Sequence, residues 1–301
     1  NQLTTLDISA NTALTYLRCE NNQLTSLDVS SNTALTYLEC PNNQLTTLDV
    51  SNNTNLVQLT CSNNQLTSLD VSNNTSLQEL ACGYNNFSSL DLSNNLLLTE
   101  LRCQDNELTS LDLTNNTQLV RLGCYLNQIT SLDLSNHPYL NWFHCWSNNL
   151  YYLNIKGALI YEMQSEFSAH SNPELSCIEI LDPAWATANW ISANDDIDEG
   201  VTFDVICGAA ARTNWHVATT GSDITGSGTL ASPLSSIQTA INATTVGDTV
   251  SVAAGTYTEN LVFGGKNLSL IGADSSNTII DGDSVSQVIN LKNGEDSTTV
   301  I

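Results

Sequence analysis

The sequence predicts a mainly β solenoid, and three regularities carry this prediction. Cysteines recur every 21 residues between Cys19 and Cys145. A column of asparagines from Asn22 to Asn148 and a column of aspartates from Asp7 to Asp133 keep the same interval. After residue 213 this period is lost, and short apolar segments alternate with Gly, Asp and Asn, as strands alternate with turns. A unit of 21 residues cannot bury its apolar side alone, so the copies must stack coil upon coil.

The repeating unit reads L-x-x-L-x-C-x-x-N-x-L-x-x-L-D-[VL]-[ST]. Its first full copy consists of Leu14, Leu17, Cys19, Asn22, Leu24, Leu27, Asp28, Val29 and Ser30. The pattern resembles the leucine-rich repeat, and more narrowly its short bacterial subclass, in which Cys replaces a Leu. This resemblance covers residues 1–155 regularly and continues less regularly to about residue 180. It implies a parallel solenoid with one short strand per coil, and we place the domain at residues 1–171.

The cysteine column allows two interpretations. The thiols would be functional as metal ligands or disulfide partners, and structural as small buried hydrophobes. The structural interpretation is favoured, because in-register neighbours lie at the strand spacing of ~4.8 Å, wider than the ~3.8 Å between the Cβ atoms of a disulfide. A single file of thiols also lacks the tetrahedral grouping that zinc prefers.

The aspartate column also allows two interpretations. Carboxylates at the strand spacing repel one another by about 1 kcal/mol in water. A charge-assisted bond from a backbone N–H to each carboxylate, worth roughly 1.5–3 kcal/mol, offsets this repulsion. Capping of a turn is therefore the favoured interpretation, and a row of bound calcium ions is the alternative. No other cofactor is expected.

Three positions of each predicted strand face outward, those of Tyr16, Arg18 and Glu20 in the first copy. We call them the first, second and third outward columns. Their middle copies are chemically bland, whereas the copies near residue 142 are aromatic. The predicted ligand-binding residues are therefore Arg121, Tyr125, Trp142, His144, Trp146, Glu166 and His170.

The last two of these residues enter through an irregular copy of the repeat. The segment EFSAHSNPELSCIEI, residues 166–180, reads as one more copy with three extra residues before it. Phe167 and Ala169 then take the Leu and Cys positions, and Asn172 takes the Asn position. This register places Glu166 and His170 in the outward columns, beside the aromatic residues of the preceding coil.

Three interpretations of the aromatic cluster remain open at this point. Exposed rings on a rigid face suit sugar stacking or a peptide side chain. The same rings would serve local packing if they lay against the irregular segment 156–170 or the cap. A metal site made of His144, His170 and Glu166 is the third interpretation, although the spacing matches no recognised metal motif, and no metal site is assigned.

Residues 172–212 break the pattern and are predicted to cap the array, whose open end would otherwise expose apolar core. Trp185 and Trp190 are expected to cover the last coil. Cys177 and Cys207 lie outside the cysteine column, and two leftover cysteines in an exported chain favour a disulfide between them. The family resemblance supports this bridge, because such arrays often end in a segment of this kind.

Residues 213–301 resemble the first part of another solenoid. The segments SSIQTAI, GDTVSVAAGTYTENL, GKNLSLIGAD and TIIDG are similar to the N-terminal end of the pectin-lyase-like right-handed parallel β-helix. A helix is predicted at 235–243, and strands at 249–254, 260–264, 268–273, 278–282 and 288–292. The resemblance implies that the β-helix is truncated at residue 301. Catalytic residues of enzymes with this fold lie on later coils, so no catalytic residue is assigned.

Composition narrows the partners of the chain. It carries 31 acidic and 7 basic residues, a formal charge of −24, which argues against nucleic acid and against an anionic membrane surface. No stretch of 18 apolar residues is present, so no transmembrane segment is expected. No signal peptide is recognised, and the chain is expected to be a piece of a longer polypeptide.

The two solenoid types and the cap together resemble modular bacterial proteins that are secreted or attached to the cell surface, often by the type IX route. The leading hypothesis is a binding or adhesion protein rather than an enzyme. Its leucine-rich face would recognise a protein or glycan, and the β-helix would be a spacer or second binding surface. One alternative is a polysaccharide-active lyase or hydrolase with catalytic coils beyond residue 301. Another is a secretion cargo or scaffold recognised by export machinery.

Overall fold

The computed structural model describes residues 1–208, 213–282 and 287–291. Residues 209–212, at the predicted boundary between cap and β-helix, lie outside the described part of the chain. Residues 283–286 and 292–301 of the predicted β-helix also lie outside it.

The chain divides into two compact units, each with its own set of internal contacts. One unit is Asn1–Ser176 with Asn189–Val201, and the other is Cys177–Ala188 with Thr202–Ile301. The predicted domain limits at residues 171 and 212 stay predictions. No helix in the described residues is both long and apolar enough to cross a bilayer.

Short strands recur along the leucine-rich part and the cap. They are β1 Tyr16–Arg18, β2 Tyr37–Glu39, β3 Gln58–Thr60, β4 Glu79–Ala81, β5 Glu100–Arg102, β6 Arg121–Gly123, β7 Ser131–Asp133, β8 Trp142–His144, β9 Tyr152–Asn154, β10 Phe167–Ser168, β11 Cys177–Glu179 and β12 Thr202–Asp204. Strands β1 to β6, β8 and β10 form one parallel sheet of eight strands, which we call the outer sheet. Phe167 pairs with Phe143, so the three extra residues predicted before this coil are present.

The interior of the solenoid is built from the Leu and Cys columns. Leu38, Leu59 and Leu101, at the centres of three strands, have no exposed surface. Between Cys40 and Cys145 every cysteine of the column is likewise completely buried and has no disulfide partner. Burial raises the pKa of the Cys61 thiol to about 12, so the file of thiols is neutral at physiological pH. The sequence prediction of small buried hydrophobes is confirmed.

One column of asparagine amides fastens each turn to the turn before it. Asn85 Nδ2 donates to the carbonyl of Cys82 in its own coil and to that of Cys61 in the preceding coil, both at 3.1 Å. Its Oδ1 accepts the backbone N–H of Leu66 at 3.0 Å. The residue before each of these asparagines has a left-handed backbone, with φ of 56° at Tyr84. We call this column the asparagine ladder, since it satisfies buried backbone groups that the strands leave unpaired.

A second buried asparagine column follows the other turn of each coil. Asn74 Nδ2 donates to the carbonyls of Val50 and Asn53 in the preceding coil, at 3.1 and 2.9 Å. His137 takes this position in a later coil, where it is 1% exposed. Burial lowers the pKa of His137, so the fold holds the neutral imidazole.

The aspartate column caps turns, as the favoured interpretation predicts. Asp70 Oδ1 accepts the backbone N–H of Ser72 at 2.9 Å, and Asp91 accepts that of Ser93 at 2.9 Å. The hydrogen bonds with Ser72 lower the pKa of the fully exposed Asp70. No group of three or more His, Cys, Asp or Glu side chains suited to a metal ion is present in residues 1–208, 213–282 and 287–291.

The second half of the repeat lies on the side opposite the outer sheet. The regular repeats show no strand there before β7, which pairs in parallel with β9. In these repeats Leu45 N–H bonds to Asn64 Oδ1 at 2.9 Å. One backbone bond per coil, from Gln65 N–H to the Leu45 carbonyl at 2.8 Å, is too few for a ladder of strands.

The cap contains a helix that the sequence analysis did not predict, α1, Pro183–Asn189. Asp182 Oδ1 accepts the N–H of Trp185 at 3.0 Å, so Asp182 and Pro183 act as an N-cap and first helical residue. Single 3₁₀ turns lie at Ile160–Glu162 and Ser192–Asn194. Trp190 is 1% exposed and its ring lies 4.1 Å from that of Phe167, so it covers the last coil as predicted. Trp185 is only partly buried.

The second unit contains three small parallel sheets. Its further elements are β13 Asn214–Val217, α2 Ile237–Ala243, β14 Thr249–Val252, β15 Gly255–Thr258, β16 Leu261–Val262, β17 Ser269–Gly272, β18 Thr278–Asp281 and β19 Ile289–Asn290. The sheets have the orders β13-β14-β17, β15-β18 and β16-β19, with β11 paired to β12. The helix and five strands lie where the sequence places them, whereas β13 and β15 were missed. The pectin-lyase-like assignment stays a prediction.

A disulfide joins Cys177 and Cys207, whose Cα atoms are 5.8 Å apart. It closes a loop of about 30 residues, which in the chain-entropy description stabilises the fold by roughly 3–4 kcal/mol. The backbone N–H of Cys207 also donates to Glu179 Oε1 at 3.2 Å, beside the β11–β12 pair.

Asn85→Ala tests the asparagine ladder. The change leaves buried carbonyl groups and the Leu66 N–H without hydrogen-bond partners. We therefore expect the free energy of unfolding to fall by at least about 2 kcal/mol. The matched control is Asn73→Ala, because the Asn73 amide is exposed and reaches only the Ser51 carbonyl at 3.4 Å. Its expected effect is within about 0.5 kcal/mol. Chemical denaturation measures both, and equal losses would contradict the proposed role of the ladder.

His137→Asn tests the role of the histidine that stands in the second asparagine column. Since burial lowers the pKa of His137, the unfolded chain takes up the proton first as the pH falls below about 6.5, and wild-type stability decreases there. The Asn variant lacks this loss. We expect its stability advantage over wild type to grow between pH 7.5 and 5.5, by no more than about 1.4 kcal/mol per pH unit. Denaturation curves that shift in parallel would refute the argument.

Counting thiols tests the two classes of cysteine. In the native protein we expect negligible alkylation, because the column is buried with raised thiol pKa values and the other pair is bridged. After denaturation without reductant, mass spectrometry should show seven alkylated cysteines, and after reduction all nine. Nine labels without reductant would rule out the bridge.

Candidate functional site

The seven predicted ligand-binding residues lie at the C-terminal end of the outer sheet, on its solvent side. Arg121 and Trp142 begin β6 and β8 and face each other in register. His144 ends β8 and pairs with Gly123 on one side and Ser168 on the other. Tyr125, Trp146 and His170 follow the ends of the three strands. We call this region the aromatic end, comprising Arg121, Tyr125, Trp142, His144, Trp146, Glu166 and His170.

Three rings of the third outward column form one stack. The Tyr125 and Trp146 rings have centroids 4.5 Å apart and planes 11° apart. His170 continues the stack at 5.4 Å from Trp146, with planes 9° apart. Each such pair contributes about 0.5–1.5 kcal/mol beyond the burial of its area. Burial and a hydrogen bond with Tyr84 raise the pKa of Tyr125 to about 12, so its phenol stays protonated.

A second stack consists of Trp142 and His144, whose ring centroids are 4.2 Å apart with planes 16° apart. The indole leans over β6, where Gly123 leaves the second outward column without a side chain. A Cβ atom at Gly123 would lie 3.2 Å from Trp142 Cζ3 and 3.4 Å from Cη2. A side chain at residue 123 would need the indole to shift by a few tenths of an ångström, so the glycine leaves room for the ring in its present position.

The cations of this part of the chain are concentrated on the same face. Arg18, Arg102 and Arg121 all lie in the outward columns, with side chains 57%, 45% and 51% exposed. Lys156, the other cationic side chain before residue 208, is buried. Glu100 contacts Arg102 Nε at 2.7 Å and Arg121 Nη1 at 4.0 Å, so one carboxylate serves two guanidinium groups. The aromatic end is thus nearly neutral within a strongly acidic protein.

The two histidines of the aromatic end have different surroundings. Burial lowers the pKa of His144, the nearby Glu166 carboxylate opposes that shift, and His170 adds to it. His170 Nδ1 lies 2.9 Å from the Ser171 hydroxyl oxygen. His144, His170 and Glu166 do not form a metal-binding group, consistent with the absence of such groups throughout the described residues.

The geometry shows ring packing within the cluster, and the ligand interpretation stays a prediction. The ring faces are largely used within the two stacks, while Trp142, Trp146, Tyr125 and both histidines remain only partly buried. A ligand would meet ring edges, whose electropositive C–H and N–H groups favour acceptor atoms, together with exposed Arg121 and Glu166. Packing thus makes the surface rigid, and its exposed edges keep it available for contact.

Two residues of this region were missed by the sequence analysis. Gln104 lies in the third outward column, and its side chain covers Gly83, where an added Cβ would be 2.7 Å from Gln104 Cδ. Gly123 accommodates the Trp142 indole. The sequence contains a signal for both residues. Gly83 and Gly123 are the glycines of the outward columns, and each lies beside a larger residue in a neighbouring coil.

No protein-family profile matches the chain, and no curated protein matches it. Among solved structures, the functional domain of InlJ from Listeria monocytogenes, which includes a cysteine ladder, is 26% identical. That alignment covers 86% of this chain and 69% of that chain, with a TM-score of 0.38. The internalin InlF from Listeria monocytogenes is 25% identical over 55% of this chain and 51% of that chain, with a TM-score of 0.48.

A third similar structure is the leucine-rich repeat protein LIC12759 from Leptospira interrogans. It is 16% identical, covers 97% of this chain and 70% of that chain, and has a TM-score of 0.49. The chain is thus similar to bacterial leucine-rich repeat proteins. Its own repeat pattern, in-register outer sheet and buried columns make it a parallel β-solenoid of leucine-rich repeats.

Proposed function

We propose that this chain is a binding protein whose aromatic end recognises a protein or glycan ligand. The observation that carries the proposal is the pair of ring stacks on the solvent side of the outer sheet, Tyr125–Trp146–His170 and Trp142–His144. Large aromatic side chains held rigid on strands lose little entropy when a ligand binds, which is why Trp and Tyr dominate binding energies.

The charge distribution supports the same location. The protein carries a formal charge of −24, which repels acidic partners at long range. At the aromatic end Arg102 and Arg121 offset Glu100, so a ligand approaches there without that penalty. The second unit, with its short parallel sheets, is proposed as a spacer or second binding surface.

We also propose that the protein acts outside the bacterial cell, secreted or attached to the surface, in an adhesive role. The Cys177–Cys207 disulfide supports this, because such bridges persist in oxidising compartments. The buried cysteine column is compatible with the same environment, since thiols with raised pKa values inside a packed solenoid resist oxidation. Recognition by export machinery, including the type IX route, belongs to this proposal as an additional partner.

Trp146→Ala tests the binding site. The variant loses the central ring of the three-ring stack, so we expect affinity for ligands detected on glycan and extracellular-protein arrays to fall at least tenfold, or ~1.4 kcal/mol. Tyr16→Ala is the matched control, since Tyr16 is a 46% exposed aromatic residue at the other end of the same face. Unchanged binding by Trp146→Ala, with folding confirmed by thermal unfolding, would show that the aromatic end is not the site.

A further inference from the structure

Two buried polar atoms at the aromatic end have no hydrogen-bond partner among the described residues. They are Gln104 Oε1 and His144 Nε2, each shielded from solvent although its residue is only partly buried. Most buried polar atoms in proteins are paired, and leaving one unpaired costs roughly 1–3 kcal/mol. Such a cost at a functional surface is explained when a ligand supplies the missing partner.

The Trp142 indole lies close to both residues. The point where a Cβ of Gly123 would stand lies 3.2 Å from Trp142 Cζ3 and 3.7 Å from Gln104 Oε1. The other polar atom belongs to the imidazole that stacks on the same indole at 4.2 Å. The indole therefore lies beside Gly123 and stacks on His144, with Gln104 near the same glycine, and we call these three residues the polar floor.

The indole meets Gly123 on β6 and the His144 ring on its own strand. Gly123 contributes no side chain that would lock the ring, and Trp142 remains partly exposed. Other coils carry Arg, Glu, Thr, Ala or His in the second outward column, so the backbone at residue 123 accepts a side chain. The empty position is a feature of this coil alone among those of the outer sheet before β10.

We propose that Gln104 and His144 form a polar subsite for the hydroxyl groups of a neutral sugar, reached when the Trp142 indole moves off Gly123. One sugar hydroxyl donates to Gln104 Oε1. A neighbouring hydroxyl bonds to His144 Nε2, and it suits either tautomer because a hydroxyl both donates and accepts. The displaced indole then packs against the C–H face of the sugar ring. This subsite rests on the proposed binding function and identifies its ligand as a glycan.

The chemistry of the floor favours a neutral sugar over an ionic group. Arg102 and Arg121 are matched in number by the carboxylates of Glu100 and exposed Glu166, so little net charge is available to hold a carboxylate or an ammonium group. The polar floor itself consists of an amide oxygen and an imidazole nitrogen. A peptide ligand at this position is the competing outcome in the experiment below.

The test measures binding of neutral oligosaccharides of glucose, mannose, galactose and xylose to the whole chain by calorimetric titration. Gln104→Met removes the acceptor with little change in volume, and His144→Phe keeps a ring against Trp142 but removes both nitrogens. We expect each variant to bind at least tenfold more weakly. Each should also unfold at the same temperature as wild type or higher, because an unpaired buried atom is removed. Gln58→Met, in the first outward column at β3, is the control and should bind normally.

A purely structural role for the two residues predicts the opposite pattern, with a lower unfolding temperature and unchanged sugar affinity, and that result would overturn the subsite. Wild-type protein that binds no neutral oligosaccharide but retains a protein ligand sensitive to Trp146→Ala would also overturn it, while leaving the proposed binding function intact. Loss of the proposed function would appear separately, as ligand binding that Trp146→Ala does not alter.

Discussion

The bonds of the asparagine ladder are the constraint on which the rest of the leucine-rich unit depends. Each amide ties its own turn to the preceding one: Asn64, for example, reaches the carbonyls of both Cys61 and Cys40 and accepts the N–H of Leu45. Backbone groups in a turn cannot pair within a strand ladder, and burying them unpaired would cost several kcal/mol per coil. Because one side chain serves three of them, the coils stay in register. The ladder also offsets the energetic cost of the left-handed backbone conformation at residues such as Leu126, with φ of 55°.

The register between coils determines which side chains are neighbours on the outer face. When every coil repeats at the strand spacing, residues 21 apart become neighbours, and a column of planar side chains becomes a stack. The Tyr125–Trp146–His170 stack arises in this way, and it continues through the irregular coil because Asn172 keeps its place in the ladder with bonds to Cys145 and Ala169. The same stacking that stabilises the rings turns their edges outward, where the proposed ligand would bind.

The two classes of cysteine show how position determines thiol chemistry. Thiols of the column, such as Cys103, are enclosed by leucines, and burial raises the pKa of Cys103 to about 12. They contribute apolar volume and little reactivity. Cys177 and Cys207 lie outside the column and are joined across a long loop. A single chain thus contains reduced and oxidised cysteines without competition between them, because the solenoid interior separates the former from solvent.

The sequence by itself determined the solenoid, its inner columns, the turn-capping aspartates and the register of the irregular coil, because a fixed period converts spacing along the chain into contact between coils. It also located α2, whose N-cap Ser236 accepts the N–H of Thr239. It did not determine how the outward side chains lie. Their positions depend on neighbours in other coils: Trp142 leans into the space left by Gly123, and Gln104 covers Gly83. Such contacts follow from side-chain rotamers and from the shape of adjacent coils, neither of which a period specifies, so only the tertiary structure decided which polar atoms of the aromatic end are left without partners.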